Sequence, residues 1–108
     1  MPRLPRVQPA GIPQHIVQRG NNRQACFLEI TDYLAYLHWL RIAAQRSNVR
    51  IHAYALMTNH VHLLASPDAD NGLARIMQYL GRNYAGYFNK KYQRSGTLWE
   101  RRYQSKSD

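Results

Sequence analysis

Between Arg50 and Ser66 the chain holds two β-type runs separated by just two residues, Thr58-Asn59. A two-residue connection joins antiparallel neighbours, because parallel strands need a long crossover. This segment therefore commits the chain to a sheet containing an antiparallel hairpin. In that pairing Met57 faces His60, and Ala55 faces His62. Side chains alternate along a strand, so His60 and His62 project from one face, about 7 Å apart at the backbone. Val61 and Leu63 turn the other way, toward a core. Two imidazoles at that separation can converge on one divalent cation. The plainer reading is two polar residues on a solvated strand. Ala53 and Ala55 would leave room beside the pair. For the other strand histidines, His15 and His52, a surface or hydrogen-bonded role is the simpler expectation.

The flanking segments complete the element order. Residues 1–11 are rich in Pro and Arg and read as an extended arm. Ile12 to Gln18 reads as a first strand centred on Ile16 and Val17, with Pro13 marking a strand start or an edge. Arg19-Gly20-Asn21-Asn22-Arg23 follows as a polar turn able to present amides and guanidinium groups to phosphate, or simply to connect. Thr31 is an apt N-cap with Asp32 in the first turn. Tyr33, Tyr36, Leu37, Leu40 and Ala44 then keep helical spacing, widened by Leu34 and Trp39, which predicts a helix over 32–46. The strands at 50–57 and 60–66 come next. Leu73, Ile76, Met77, Leu80, Tyr84, Tyr87 and Phe88 predict a second helix over 72–91, with Gly81 and Gly86 as weak points. Thr97 to Ser105, with Leu98, Trp99 and Tyr103, reads as a fourth strand.

Strand, helix, strand, strand, helix, strand is the split βαβ pattern. It predicts an α+β, ferredoxin-like domain over residues 1–108: a four-stranded antiparallel sheet with both helices on one face. The other face is left free for a ligand. RNA-binding domains of this shape carry stacking aromatics there. Here the third strand carries histidines, which points toward metal-assisted chemistry.

Charge narrows the class of partner. Fifteen Lys and Arg against six Asp and Glu give a net charge of +9, and eight of those cations fall within residues 71–108. A domain this basic fits a polyanion, with nucleic acid first. Eight tyrosines and two tryptophans, several near these cations, suit unpaired bases, although aromatic core residues under a solubilising surface would give the same composition. The candidate DNA contacts are Arg19, Asn21, Asn22, Arg23, Arg82, Lys90, Arg94, Arg101 and Arg102. The apolar runs fall far short of a membrane span, and the N-terminus lacks the apolar centre of a signal peptide. The one cysteine, Cys26, makes no internal disulfide, and a reducing cytoplasm is the simplest home.

With these motifs in order, the chain resembles the single-tyrosine HUH transposases, and among them the REP-associated tyrosine transposases. The likeness runs through Met1-Pro2-Arg3, Arg19-Gly20-Asn21, Ala53-Tyr54-Ala55-Leu56-Met57 and Asn59-His60-Val61-His62-Leu63-Leu64. It continues through Met77-Gln78-Tyr79-Leu80-Gly81-Arg82 and Gly96-Thr97-Leu98-Trp99-Glu100-Arg101-Arg102-Tyr103. It implies binding of hairpin-forming single-stranded DNA, at repeat elements, in DNA transposition. It also implies a divalent cation, Mg²⁺ or Mn²⁺, on His60 and His62, and a tyrosine that attacks the phosphorus. A homodimer is a further arrangement known in such enzymes.

The family's nucleophilic tyrosine lies on a helix beyond the strand matching Leu98 to Tyr103, past Asp108. No catalytic residue is therefore carried over, and the sequence reads as truncated before the catalytic helix, which argues against strand cleavage by this polypeptide. Tyr84 and Tyr87 continue the apolar stripe of the second helix and read as core, not as substitutes. Two other readings stay open from the residues alone. One is a non-catalytic nucleic-acid-binding module. The other is a zinc-dependent hydrolase, which needs a third ligand from His15 or His52.

Overall fold

The computed structural model describes residues 10–107. The extended arm expected over residues 1–11 lies, up to residue 9, outside them. Four strands and two helices follow one another: β1 (Gln14–Arg19), α1 (Ile30–Ser47), β2 (Val49–Met57), β3 (His60–Pro67), α2 (Gly72–Lys91) and β4 (Gln104–Ser107). The sheet order is β2-β3-β1-β4, with every neighbouring pair antiparallel. This is the α+β, ferredoxin-like split βαβ arrangement that the element order predicts. Among the described residues no helix is long and apolar enough to cross a membrane.

The hairpin forms as expected, with Met57 opposite His60 and Ala55 opposite His62. One irregularity in β2 matters. The register shifts between Ile51 and Ala53, so that Ile51 pairs with Ala65 while Ala53 pairs with Leu64. A bulge of this kind resets the two-residue alternation. It lets Ile51 turn to the helix side while Ala53 and Ala55 line the open side. The extra residue, His52, hydrogen-bonds Ser66 Oγ at 2.8 Å.

One face of the sheet supplies Ile16, Val61, Leu63 and Ala65 to the core. Against them pack Tyr36 and Leu40 of α1 and Leu73, Ile76, Leu80 and Tyr84 of α2, all nearly or fully buried. Each such side chain contributes on the order of 2 kcal/mol by leaving water. The aromatics of α1 on this stripe are therefore core, as their spacing implies, but Leu34 lies exposed beside it.

Two boundaries depart from expectation. The N-cap of α1 is Glu29, not Thr31. Asp32 takes the third helical position, and its carboxylate reaches back to the backbone amides of Leu28 and Glu29. A carboxylate that binds two amides ahead of the helix moves the start upstream. The fourth strand is not Thr97 to Ser105. Leu98 and Trp99 are buried, but as a loop pegged into the core, and among the described residues the bridge formed there is Gly20↔Trp99. The strand is the polar segment Gln104–Ser107, paired to β1. Large apolar residues marked burial here rather than strand.

Candidate metal centre and nucleic-acid interface

The helix-free face of the sheet is set by three registers. His60 lies opposite Arg19, His62 opposite Val17, and Leu64 opposite His15. Alternation then places His15, Val17, Arg19, His60 and His62 together on that face. The rings of His60 and His62 are 5.0 Å apart between centroids. A concavity of about 320 Å³ beside His62 is lined by His15, Ala53 and Ala55, so the two alanines do leave room there.

Each histidine has one ring nitrogen occupied. His60 Nδ1 lies 2.9 Å from Asn59 Oδ1, an atom that only accepts. Nδ1 therefore donates, and in the neutral ring the lone pair then sits on Nε2. His62 Nδ1 lies 3.1 Å from His15 Nε2, where either ring can donate. If His62 donates, its Nε2 is likewise left for a cation. Burial lowers the pKa of His62, and the nearby His60, His15 and Arg19 lower it further. A neutral imidazole is the form that binds a metal. The donor chemistry thus fits a divalent cation held in part by His60 and His62. Among the described residues no group of three or more His, Cys, Asp or Glu is gathered for a metal. His15 hydrogen-bonds His62 and His52 hydrogen-bonds Ser66, and among the described residues neither is gathered with the pair into the three-ligand group a zinc hydrolase needs.

The polar turn after β1 is tied down next to the histidines. The Gly20 amide donates to Asn59 O at 2.8 Å, and the Cys26 amide to Thr58 O at 2.7 Å. Gly20 admits no side chain, since a Cβ there would sit 2.3 Å from Gln24 O and 2.7 Å from Cys26 Sγ. Arg19 and Arg23, with Asn59 and His60, surround a second concavity of about 240 Å³. The loop of residues 97–103 closes on the same turn. Asn21 N donates to Leu98 O, and Glu100 N to Arg19 O. This holds the backbone of Arg101 and Arg102 near the end of β1.

The expected DNA contacts therefore separate into groups. Arg19 and Arg23 come to the histidines, Asn21 and Asn22 form the anchored turn, and Arg101 and Arg102 follow it. Arg94 does not stand free: it donates to Gln24 Oε1 and Asn89 Oδ1 and so locks the loop. Arg82 and Lys90 lie on α2, across the sheet from the histidines. Sequence reasoning missed Asn59 as a partner of the pair, and it allowed a hydrogen-bonded role for His15 without choosing it over His52. Adjacency to His60 was a signal for Asn59; for His15 only the strand register could bring it to His62. Tyr84 is fully buried and its hydroxyl donates to Cys26 O, while the Tyr87 hydroxyl donates to Asp32 Oδ1. Both are packing residues.

The family comparison defines a transposase-type domain. The profile of the family described as IS200-like transposase matches residues 10–107, and the chain belongs to that family. No curated protein matches it in sequence. Among solved structures it is similar to a REP-associated tyrosine transposase bound to a REP hairpin, at 17% identity and a TM-score of 0.73, covering 100% of this chain and 62% of that one. It is also similar to a candidate transposase from Deinococcus radiodurans R1, at 19% identity and a TM-score of 0.70, covering 88% of this chain and 77% of that one. At these identities the likeness establishes the fold. The chain spans 62% of the length of the hairpin-bound neighbour.

Proposed function

We propose that this domain serves DNA transposition by binding hairpin-forming single-stranded DNA on its open sheet face, with Mg²⁺ or Mn²⁺ held by His60 and His62. The observation that carries the reading is the pairing of the two imidazoles beside Arg19, each with its Nδ1 engaged by a neighbour. When bound there, the cation supplies Lewis-acid polarisation of a phosphate. The rest is work for the chain's own side chains. Arg19 and Arg23 neutralise and orient phosphate oxygens. Asn59 fixes the His60 ring. His15 accepts a hydrogen bond from His62 Nδ1 and so leaves His62 Nε2 for the metal. The neighbour whose structure holds a REP hairpin supports hairpin DNA as the ligand class. A cytoplasmic setting accords with Cys26, a free and buried thiol.

Cleavage is a separate matter. Attack on phosphorus needs a tyrosine hydroxyl at the scissile phosphate, and those of Tyr84 and Tyr87 are committed to packing. Neither is available as a nucleophile, and we propose that the described residues bind DNA without forming a covalent adduct. A hairpin oligonucleotide with single-stranded flanks, mixed with the protein and Mn²⁺, tests both parts. Salt-sensitive binding without an adduct is expected, and His60→Ala/His62→Ala should abolish measurable Mn²⁺ binding. An adduct would overturn the second part. Failure to bind at any salt concentration would overturn the first.

A further inference from the structure

A second cationic concavity lies on the helical side of the domain. Arg46 and Ser47 from the end of α1, with Arg75, Gln78, Tyr79 and Arg82 of α2, surround about 250 Å³. It is remote from the histidines in two respects. The helices cover the opposite face of the sheet. The end of α1 also leads into Val49, which pairs with Pro67, at the far end of β3 from His60. At about 3.3 Å per residue that separation is roughly 20 Å along the strand.

Its electrostatics are one-sided. Among the described residues no carboxylate pairs with these three arginines. Asp68 pairs with Arg50, Asp70 accepts from the Ala10 amide, and Glu29 and Asp32 are held by Lys91 at the other end of the helices. Glu100 lies in the loop beside β1, its amide donating to Arg19 O. Three like charges around one hollow repel one another unless an anion sits among them.

The geometry suits phosphate. The Arg46 guanidinium stacks 4.6 Å from the centre of the Tyr79 ring, which holds its plane in advance of any ligand. Arg75 and Arg82 are seven residues apart, two turns of one helix face, and so about 10 Å apart along the axis. That spacing covers two or three phosphates of one strand. The lining has no exposed aliphatic residue to enter a lipid layer or a protein interface.

We propose that Arg46, Arg75 and Arg82 form a second phosphate-binding surface, which grips the backbone of the DNA where it leaves the sheet face. The proposal rests on the DNA-binding reading above. The contact is independent of base sequence, since guanidinium forks read phosphate oxygens and not base edges. The domain is only 21 Å through its thinnest dimension, so a strand of moderate length can engage both faces.

The test compares two oligonucleotides on the full chain by fluorescence anisotropy over a salt series. One has about 8 nucleotides, enough for a single compact site, and one about 30. For the wild type, log Kd should rise with log salt more steeply on the long oligonucleotide. Arg46→Gln/Arg75→Gln/Arg82→Gln should lower that slope by about two and weaken long-oligonucleotide binding about tenfold, with the short one unaffected. The Lys triple variant, which keeps charge, should recover most of the slope. Equal loss on both lengths would overturn the proposal, because the arginines would then act only through net charge. No loss on the long oligonucleotide, with the wild type still binding, would overturn it and leave the sheet-face reading intact. A wild type that binds neither length would remove the DNA reading and this proposal with it.

Discussion

Asp32, at the seam between the two helices, and His60 and His62, on the open sheet face, are polar groups placed in opposite circumstances. Asp32 has no exposed surface and accepts from five donors: the amides of Leu28 and Glu29, the hydroxyls of Tyr87 and Tyr92, and Lys91 Nζ. The histidines are half-buried, and each has one ring nitrogen with no protein partner among the described residues. A fully satisfied buried charge rigidifies and cannot bind anything more. A half-satisfied pair keeps donor atoms that a ligand can use. The first region holds α1 against α2; the second is where the proposed cation would bind.

The largest effect that separates the two comes from Asp32→Ala. Removing the acceptor leaves Lys91 and two tyrosine hydroxyls without their partner. A loss of about 3–5 kcal/mol is expected, or a fall in melting temperature of roughly 12 °C or more, while Mn²⁺ affinity at low temperature stays unchanged. Acid should probe the same site. Burial alone would raise the pKa of Asp32, but hydrogen bonds from Lys91, Tyr92, the Leu28 amide and Tyr87 outweigh it and hold it well below the usual carboxylate range. A depressed folded-state pKa gives stability that is present above the unfolded value of about 3.9 and is lost as pH falls through the folded one. Between neutral pH and about pH 3, wild type should therefore lose more stability than Asp32→Asn. Equal losses in thermal melts would sink this account of the seam.

A smaller effect belongs to the open face. His15→Ala should weaken Mn²⁺ binding about 10–100-fold, because His62 loses the partner that sets its tautomer. His15→Gln offers a carbonyl acceptor and should recover most of the affinity. Nitrogen NMR of the histidine rings gives a readout that packing alone would not move: His62 should carry its proton on Nδ1 in the wild type and Gln variant, and become mixed in the Ala variant. Unchanged affinity and tautomer in His15→Ala would make the contact incidental.

The two regions were not equally legible in the sequence. The hairpin, the register of His60 and His62, and α2 follow from local rules: a two-residue turn, two-residue alternation and helical spacing. Each rule acts within one segment, and the structure keeps all three. The seam needs Asp32 to meet Lys91, 59 residues on, and nothing local reports that meeting. Thr31 looks like a cap because capping residues are recognised one at a time, whereas the cap here depends on Asp32 reaching back. His15 faced the same barrier, since only pairing of β1 with β3 brings it to His62. Arg94 reads as a candidate DNA contact from its charge, and sequence does not show the Gln24 and Asn89 oxygens to which it donates. Leu98 and Trp99 signalled burial correctly, but burial in a pegged loop and in a strand look alike along the chain.

The smallest expected effect gives the sharpest check that the two regions are independent. Gly86 lies exposed within α2, on the helix that carries Tyr87 and Lys91, and a Cβ there would meet nothing within 4 Å. Alanine in a helix interior is favoured over glycine by about 0.5–1 kcal/mol, since the unfolded chain has less freedom to lose. Gly86→Ala should therefore raise the melting temperature by about 4 °C. It stiffens the helix side of the seam and touches no side chain on the sheet face. Mn²⁺ affinity and the salt dependence on a short oligonucleotide should both stay at wild-type values. If the variant is more stable but binds metal or DNA differently, the open face draws on the rigidity of α2, and the seam and the histidine site are one coupled unit.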